Sequence, residues 1–233
     1  MVLQVVTRTL AKGHRAITIP SLLLVILASI WNLYKYLFYT VTLYDGLFFL
    51  LTLLLLLFNL QFFRDPIRIA DENSEDSILS PADGVLFEID SDTKTNMTIY
   101  RIRMRFWDVH VNYMPLDGKL ISSVKKRGIL LPILPIINKY SKNKNARQTM
   151  TFKSNLGFEF KVVQISGSLA YRTVAYGTPG VIFSKGAKLG MIRYGSETDL
   201  HLPSDLTLPF AQIGTKIKAG KTIIAKLKIS KSS

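Results

Sequence analysis

The chain has 233 residues, 48% of them hydrophobic, and its 30 Lys and Arg against 16 Asp and Glu give a formal charge of +14. It contains no cysteine, which excludes disulfides, thiolate nucleophiles and Cys-ligated zinc or iron–sulfur centres. The charge asks for an anionic partner. Long apolar runs and the lack of a nucleic-acid-binding motif point to acidic lipid headgroups and not to nucleic acid.

In chain order, residues 1–15 form a short basic arm with Arg8, Lys12 and Arg15. Two uncharged runs follow, Ala16–Tyr34 and Gly46–Phe63, separated by a stretch with Lys35 and Asp45 as its only charges. Each approaches the roughly 20 residues that cross a bilayer core, so the pattern predicts a membrane hairpin over 16–63, with spans at about 16–34 and 46–63. A signal peptide fits less well, because no small-residue cleavage site follows the first run and a second span does. Two buried core helices are the other alternative. Basic residues precede the hairpin and Arg64 and Arg68 follow it, which places both ends, and the domain after them, on the cytoplasmic side of the cell membrane.

Residues 64–77 read as a polar linker containing Asp71-Glu72-Asn73-Ser74-Glu75-Asp76-Ser77, and 78–233 as a folded domain outside the membrane. There the texture becomes short runs such as Gly84–Ile89, Met97–Met104, Phe158–Ile165 and Lys221–Leu227, broken by Gly, Pro, Asn and Asp. Their alternation and β-branched content predict a mainly β domain of the β-sandwich or barrel-sandwich type. A weak repeat supports this. Phe183–Ile192 and Ile217–Ala225 both run from an apolar residue through a Lys- and Gly-containing turn into an apolar strand, as in the hammerhead turns of lipoyl- and biotinyl-type domains. No lysine stands in a Met-Lys-Met carrier context.

The stretch Lys125–Lys139 is apolar between basic flanks and holds Pro132 and Pro135, which disfavour a long helix or a central strand. It reads either as a buried irregular segment or as a loop dipping into the membrane.

There are three histidines. His14 belongs to the basic arm. His201 alternates with Leu200 and Leu202 and reads as a strand residue. His110 lies in Asp108-Val109-His110-Val111-Asn112-Tyr113-Met114-Pro115, where alternation puts Asp108, His110 and Asn112 on one face; a histidine beside carboxylates suits general base work near neutral pH. Asp83, in Ser80-Pro81-Ala82-Asp83-Gly84, has the form of a turn. In Leu189–Pro203 an apolar strand reaches Gly195-Ser196 and a second alternating run leaves it. The plain reading is a bend between strands, although a glycine there also gives a serine hydroxyl room to reach the preceding carbonyl.

Four stretches in order, Phe62-Phe63-Arg64-Asp65-Pro66, Ser80-Pro81-Ala82-Asp83-Gly84, Asp108–Asn112 with Met114-Pro115, and Gly190–Ser196, resemble the phosphatidylserine decarboxylase family in its short membrane-anchored form. Archaetidylserine decarboxylases share the pattern. The resemblance covers roughly residues 46–230. It implies a proenzyme that cuts itself between Gly195 and Ser196 and converts Ser196 into a covalent pyruvoyl cofactor. That group accepts the amine of an anionic aminophospholipid, whose CO₂ is then lost, with no metal needed. It further implies that the two fragments stay associated, and it leaves room for a homo-oligomer. By position His110 is the leading acid–base residue and Asp83 orients or polarises a base, with Tyr113 and His201 as accessory candidates. The family's longer form has a second His where this chain has Tyr113, and Leu and Thr where it has Tyr194 and Glu197. The short form commonly has Arg at the Tyr113 position and Tyr at the His201 position. These departures keep a different class open as the alternative, a catalytically inactive, membrane-tethered lipid-binding β-sandwich module.

Overall fold

The computed structural model describes residues 10–70, 74–128, 144–167, 173–193 and 196–228, with Ser196 represented by its backbone. The chain divides into two compact units, Met1–Pro66 and Ile67–Ser233. The proline-containing part of Lys125–Lys139 lies outside the described residues.

The first unit is a helical hairpin of α1 (Arg15–Phe38) and α2 (Leu43–Phe62), each long and apolar enough to cross a membrane. Most leucines of both helices are exposed, the reverse of a water-soluble helix pair. The observed ends differ from the hydropathy limits because caps, and not charges, stop helices. Lys35 ends an apolar run but is a good helix former, so α1 continues to Phe38. At the start of α2, Thr42 and Asp45 close a capping box, the Thr42 N–H donating to the Asp45 carboxylate at 2.9 Å. Asp45 also accepts from Trp31 Nε1 at 2.9 Å, joining the helices at the bend. At the open end the Ala11 N–H donates to the Phe63 carbonyl at 2.8 Å.

Among the described residues the second unit is all β. Its strands are β1 (Ser77–Leu79), β2 (Gly84–Asp92), β3 (Met97–Met104), β4 (Val111–Tyr113), β5 (Gly118–Lys126), β6 (Arg147–Ser154), β7 (Glu159–Ser166), β8 (Thr173–Ala175), β9 (Ile182–Phe183), β10 (Lys188–Ile192), β11 (Ser196–Pro203), β12 (Thr207–Pro209), β13 (Lys216–Ile217) and β14 (Ile223–Leu227). An eight-stranded sheet runs β13-β2-β3-β11-β7-β6-β5-β9, and two three-stranded sheets run β1-β14-β12 and β4-β10-β8. All pairings are antiparallel. One core cluster joins the sheets, with Leu86, Tyr100, Ile102, Phe152, Phe160 and Leu200 from the large sheet meeting Ile78, Leu189, Ile192 and Ile224 from the small ones. Alternation decides the faces. On β11, Thr198, Leu200 and Leu202 are fully buried in the core direction, while Glu197, Asp199 and His201 occupy the other face.

The sheet order is a palindrome, and the hydrogen bonds repeat with it. Leu79 N–H donates to Pro115 C=O and Tyr113 N–H to Pro81 C=O, both at 2.9 Å, so the two Pro-containing turns grip each other reciprocally. Gly214 N–H donates to Leu86 C=O at 2.7 Å as Gly180 N–H does to Leu120 C=O at 2.8 Å. Bulges fall at matching places, after Leu86 in β2 and after Leu120 in β5. The hammerhead turns correspond as well, with Gly186 and Gly220 in the left-handed region at φ +77° and +65°. The domain is thus two copies of one motif. The first comprises β1–β3 with β11–β14, and the second β4–β10. In the second copy β6 and β7 are joined by a tight turn closed by Gly157 N–H to Ser154 C=O at 3.0 Å. The equivalent strands of the first, β3 and β11, pair just as fully, but the whole second copy is inserted between them. The chain therefore crosses from copy to copy twice, between Met104 and Val111 and again between Ile192 and Ser196.

Candidate active site

Both crossovers carry the residues singled out from sequence. The first sits beside the Asp83 turn, which glycine chemistry shapes. Gly84 has φ +147°, and a Cβ there would stand 2.1 Å from the Arg103 carbonyl oxygen, so no other residue fits. The turn aims the Asp83 carboxylate at the Ala219 N–H (2.7 Å) and the Val109 N–H (3.4 Å). Arg68 completes it as a two-pronged ion pair, Nη1 to Oδ1 and Nη2 to Oδ2, the latter at 2.7 Å. Nη1 also donates to the Ala219 carbonyl at 2.7 Å, and the guanidinium lies 5.2 Å from the centre of the Tyr113 ring. Both charged side chains are almost wholly removed from water, where a matched pair with further hydrogen bonds is the form in which charge is tolerated.

Asp83 therefore acts on the backbone next to His110, through Val109, and among the described residues its carboxylate partners are Arg68 and two backbone N–H groups. Arg68 was read from sequence as a flank of the hairpin within a linker. In the structure Arg68 belongs to the second unit and is a buried cation paired with Asp83.

His110 is fully buried. Its Nδ1 lies 2.8 Å from the Asp108 carbonyl oxygen. A carbonyl only accepts, so Nδ1 carries a proton, and in the neutral ring the lone pair then stands on Nε2, as a general base needs. The strand begins only at Val111, so Asp108 and His110 precede it, and residues 109–114 are buried on both faces. Asp108 instead closes a turn on Arg105. Its burial works to raise its pKa, but the side-chain and backbone hydrogen bonds and the charge of Arg105 outweigh this and hold it below the usual carboxylate value.

The second crossover is tied to the first. Ile192 N–H donates to the His110 carbonyl at 3.2 Å. Asn112 Nδ2 donates to the Pro81 carbonyl and to Thr198 Oγ1, each at 3.2 Å, and Asn112 Oδ1 accepts from Gln164 Nε2 at 2.8 Å. These buried amides hold β4, β7 and β11 together beside the start of β11, where Ser196 pairs with Met104 on one side and Ser166 on the other. Gly190 permits the approach, since a Cβ there would lie 2.2 Å from the Val174 carbonyl oxygen. Gly195 and the Ser196 side chain lie outside the described residues.

Tyr113 is buried, with its ring between Arg68 and Gly220, whose added Cβ would come within 2.9 Å of it. His201 stands apart, roughly 17 Å along β11 from Ser196 at about 3.3 Å per residue and on the face opposite Thr198. There it lines a cleft of ≈ 530 Å³ with Arg101, Arg147, Lys161 and Asp199. Burial, followed by the charges of Lys161 and Arg101, lowers its pKa to about 4. Sequence reasoning missed Arg68, Gln164 and Thr198. Only Thr198 had a signal, its even spacing from Ser196 along a strand.

The site thus sets a fully buried histidine, with its Nδ1 on a backbone carbonyl, beside a desolvated carboxylate–guanidinium pair. Residues 55–225 match the family model for phosphatidylserine decarboxylase. A phosphatidylserine decarboxylase proenzyme from Carboxydothermus hydrogenoformans is 35% identical over 187 residues, 77% of this chain and 84% of the relative. A putative archaetidylserine decarboxylase proenzyme from Methanosarcina mazei is 35% identical over 167 residues, 72% and 74% of the two chains. A phosphatidylserine decarboxylase proenzyme from Geotalea uraniireducens aligns over 93% of this chain and 95% of its own length at 29% identity. The chain belongs to the phosphatidylserine decarboxylase family, and it is a decarboxylase.

Proposed function

We propose that the protein is a self-processing, pyruvoyl-dependent decarboxylase that converts phosphatidylserine, or its archaetidyl counterpart, to the ethanolamine lipid and CO₂. The observation that carries this reading is His110, fully buried in its basic tautomer and bonded through its backbone to the strand that leads into Gly195-Ser196.

In the processing step His110 Nε2 takes the Ser196 hydroxyl proton as Oγ attacks the Gly195 carbonyl. The acyl group passes from nitrogen to oxygen, and the amide becomes an ester. Loss of the Ser196 α-proton expels the Gly195 carboxylate and leaves dehydroalanine, which tautomerises and takes up water, releasing ammonia. The serine thereby becomes the N-terminal pyruvoyl group of the shorter fragment. The residues present fit such a group: Asn112, Thr198 and the buried Gln164 amide, whose Oε1 has no partner among the described residues, set polar atoms beside the start of β11. The pyruvoyl group supplies a carbonyl that accepts the substrate amine and draws off the electron pair released with CO₂. Asp83 and Arg68 keep Val109, and with it His110, in place; His110 then serves as the proton donor or acceptor of the decarboxylation.

The two apolar helices support attachment to the cell membrane, with the β domain on the cytoplasmic face. β11 lies between β3 and β7, which supports the two fragments remaining together as one folded domain. Intact mass of the purified protein tests the proposal. The expected result is two chains, the shorter one with the mass of a pyruvoyl terminus, and full-length inactive protein for Ser196→Ala. Decarboxylation by wild-type protein that remains uncut would refute the mechanism. Protease protection of the β domain in sealed inside-out vesicles would refute the topology.

A further inference from the structure

The turn Arg105–Asp108 presents two aromatic side chains to the outside and holds them there rigidly. Asp108 N–H donates to the Arg105 carbonyl at 3.0 Å. The Asp108 carboxylate in return accepts from the Arg105 N–H at 2.8 Å, from Nε at 3.1 Å and from Nη2 at 2.9 Å. With both ends of the turn locked by one carboxylate, Phe106 and Trp107 occupy its corner, 38% and 70% exposed. Neither belongs to the core cluster. Two adjacent aromatics exposed at the corner of a turn fixed at both ends mark a contact surface.

Its place in the domain identifies the contact. Met104, immediately before the turn, pairs with Ser196, and the Asp108 carbonyl at its end accepts from His110. The same end of the large sheet is basic. One row of paired residues crosses it as Lys126, Arg147, Ile165, Glu197 and Arg103, with exposed Lys125 and Arg127 beside it. The far end, by contrast, carries Asp90, Asp92, Glu159 and Asp205 among its lysines. Aromatic residues beside a cationic rim match the boundary between acyl chains and anionic headgroups, where Trp is favoured and Lys and Arg meet phosphate.

We propose that the Phe106–Trp107 turn is the β domain's own anchor in an anionic bilayer surface, setting His110 and the Gly195-Ser196 crossover at headgroup depth. This rests on the membrane-lipid reading above but requires no catalysis to test. Trp31 and Trp107 are the two tryptophans, so Trp31→Phe isolates Trp107 fluorescence in the full-length protein. In vesicles containing phosphatidylglycerol, with lipids brominated near the glycerol end of the acyl chain, Trp107 emission is expected to shift to the blue and to fall by more than about half. Unquenched emission from protein shown to be in the vesicles would overturn the proposal. A blue shift that follows protein concentration without lipid would assign the turn to a contact between copies and equally overturn it. As a second readout, Phe106→Ser with Trp107→Ser is expected to raise KM for vesicle substrate about tenfold while moving KM for a monomeric short-chain lipid less than twofold. Equal shifts on both substrates would sink the anchor role. Absence of decarboxylation by the wild type on either substrate would instead refute the decarboxylase reading and leave the quenching result to stand or fall alone.

Discussion

The two copies of the β motif solve the same local problem and differ in what they do with it. In each, a Pro-containing turn ends in Asp-Gly, and the aspartate accepts a backbone N–H from the facing hammerhead turn at 2.7 Å, Ala219 to Asp83 and Lys185 to Asp117. There the likeness stops. Asp83 is buried and clasped by Arg68, whereas Asp117 is exposed. Lys185 Nζ turns away from Asp117 to Ser77 Oγ and the Ser74 carbonyl, at 2.5 and 2.9 Å. The backbone bond to the aspartate thus belongs to the architecture, and the ion pair to the site. An aspartate in this turn is no evidence of chemistry by itself; what distinguishes Asp83 is the cation brought to it and the adjoining Val109–His110 backbone.

Substitutions in matched pairs can break this comparison. The largest difference is expected between the glycines. Gly84→Ala meets the Arg103 carbonyl at 2.1 Å in a left-handed conformation, while Gly118→Ala meets the Lys153 carbonyl at 2.8 Å without a positive φ. The first should cost more than about 4 kcal/mol and yield little folded protein. The second should cost about 1–3 kcal/mol, read as thermal midpoints in detergent. Similar losses at both would mean the copies are equally strained. Next, Arg68→Leu leaves a buried carboxylate without its cation and should destabilise by about 3–5 kcal/mol, slowing the proposed self-cleavage with it. Asp117→Asn should cost below about 1 kcal/mol and leave cleavage kinetics intact on a time-course gel. If Asp117→Asn slowed cleavage as much as Arg68→Leu, the division between architecture and site would be wrong.

A pH-dependent effect concerns His201, on the outer face of β11. Its folded pKa of about 4 lies below the ordinary value of 6.5. As pH falls, the unfolded chain therefore takes up the proton first, and stability present above pH 6.5 is lost progressively toward pH 4. The loss is at most about 1.4 kcal/mol per pH unit. His201→Gln should flatten that acid limb in midpoint-versus-pH measurements without changing processing. An unchanged limb would show that other groups carry it.

What the sequence made legible follows the range of the interactions involved. The helical hairpin is written in local composition, and the strands in alternation, so both appear close to where hydropathy and spacing put them. His110 and Asp83 stood in recognisable short stretches. Arg68 did not, because its partner lies across a segment that reads as linker, and a lone arginine after an apolar run already has an explanation in membrane topology. Gln164 was one polar residue in a strand; only the pairing of β7 with β11 brings it to Asn112. The duplication was half visible. The hammerhead turns share their Lys and Gly, but the kinship of Ser80-Pro81-Ala82-Asp83-Gly84 with Met114-Pro115-Leu116-Asp117-Gly118 emerges from their reciprocal hydrogen bonds, which no linear reading displays.

If the chain is cut at Gly195-Ser196 as proposed, the nesting of one copy inside the other fixes an order of events. β11 is a central strand, paired over its length with β3 and along most of it with β7. A chain cut at Gly195-Ser196 before those ladders formed would turn the closing of a loop into an encounter between two separate molecules, forfeiting an effective concentration in the millimolar range. Under the proposed self-processing, folding therefore precedes the cut, because the β3 and β7 ladders that seat β11 form only in the folded chain. Unprocessed Ser196→Ala should regain its structure after denaturation at any dilution. The mature two-chain protein, unfolded and diluted, should regain it less completely the more dilute it becomes.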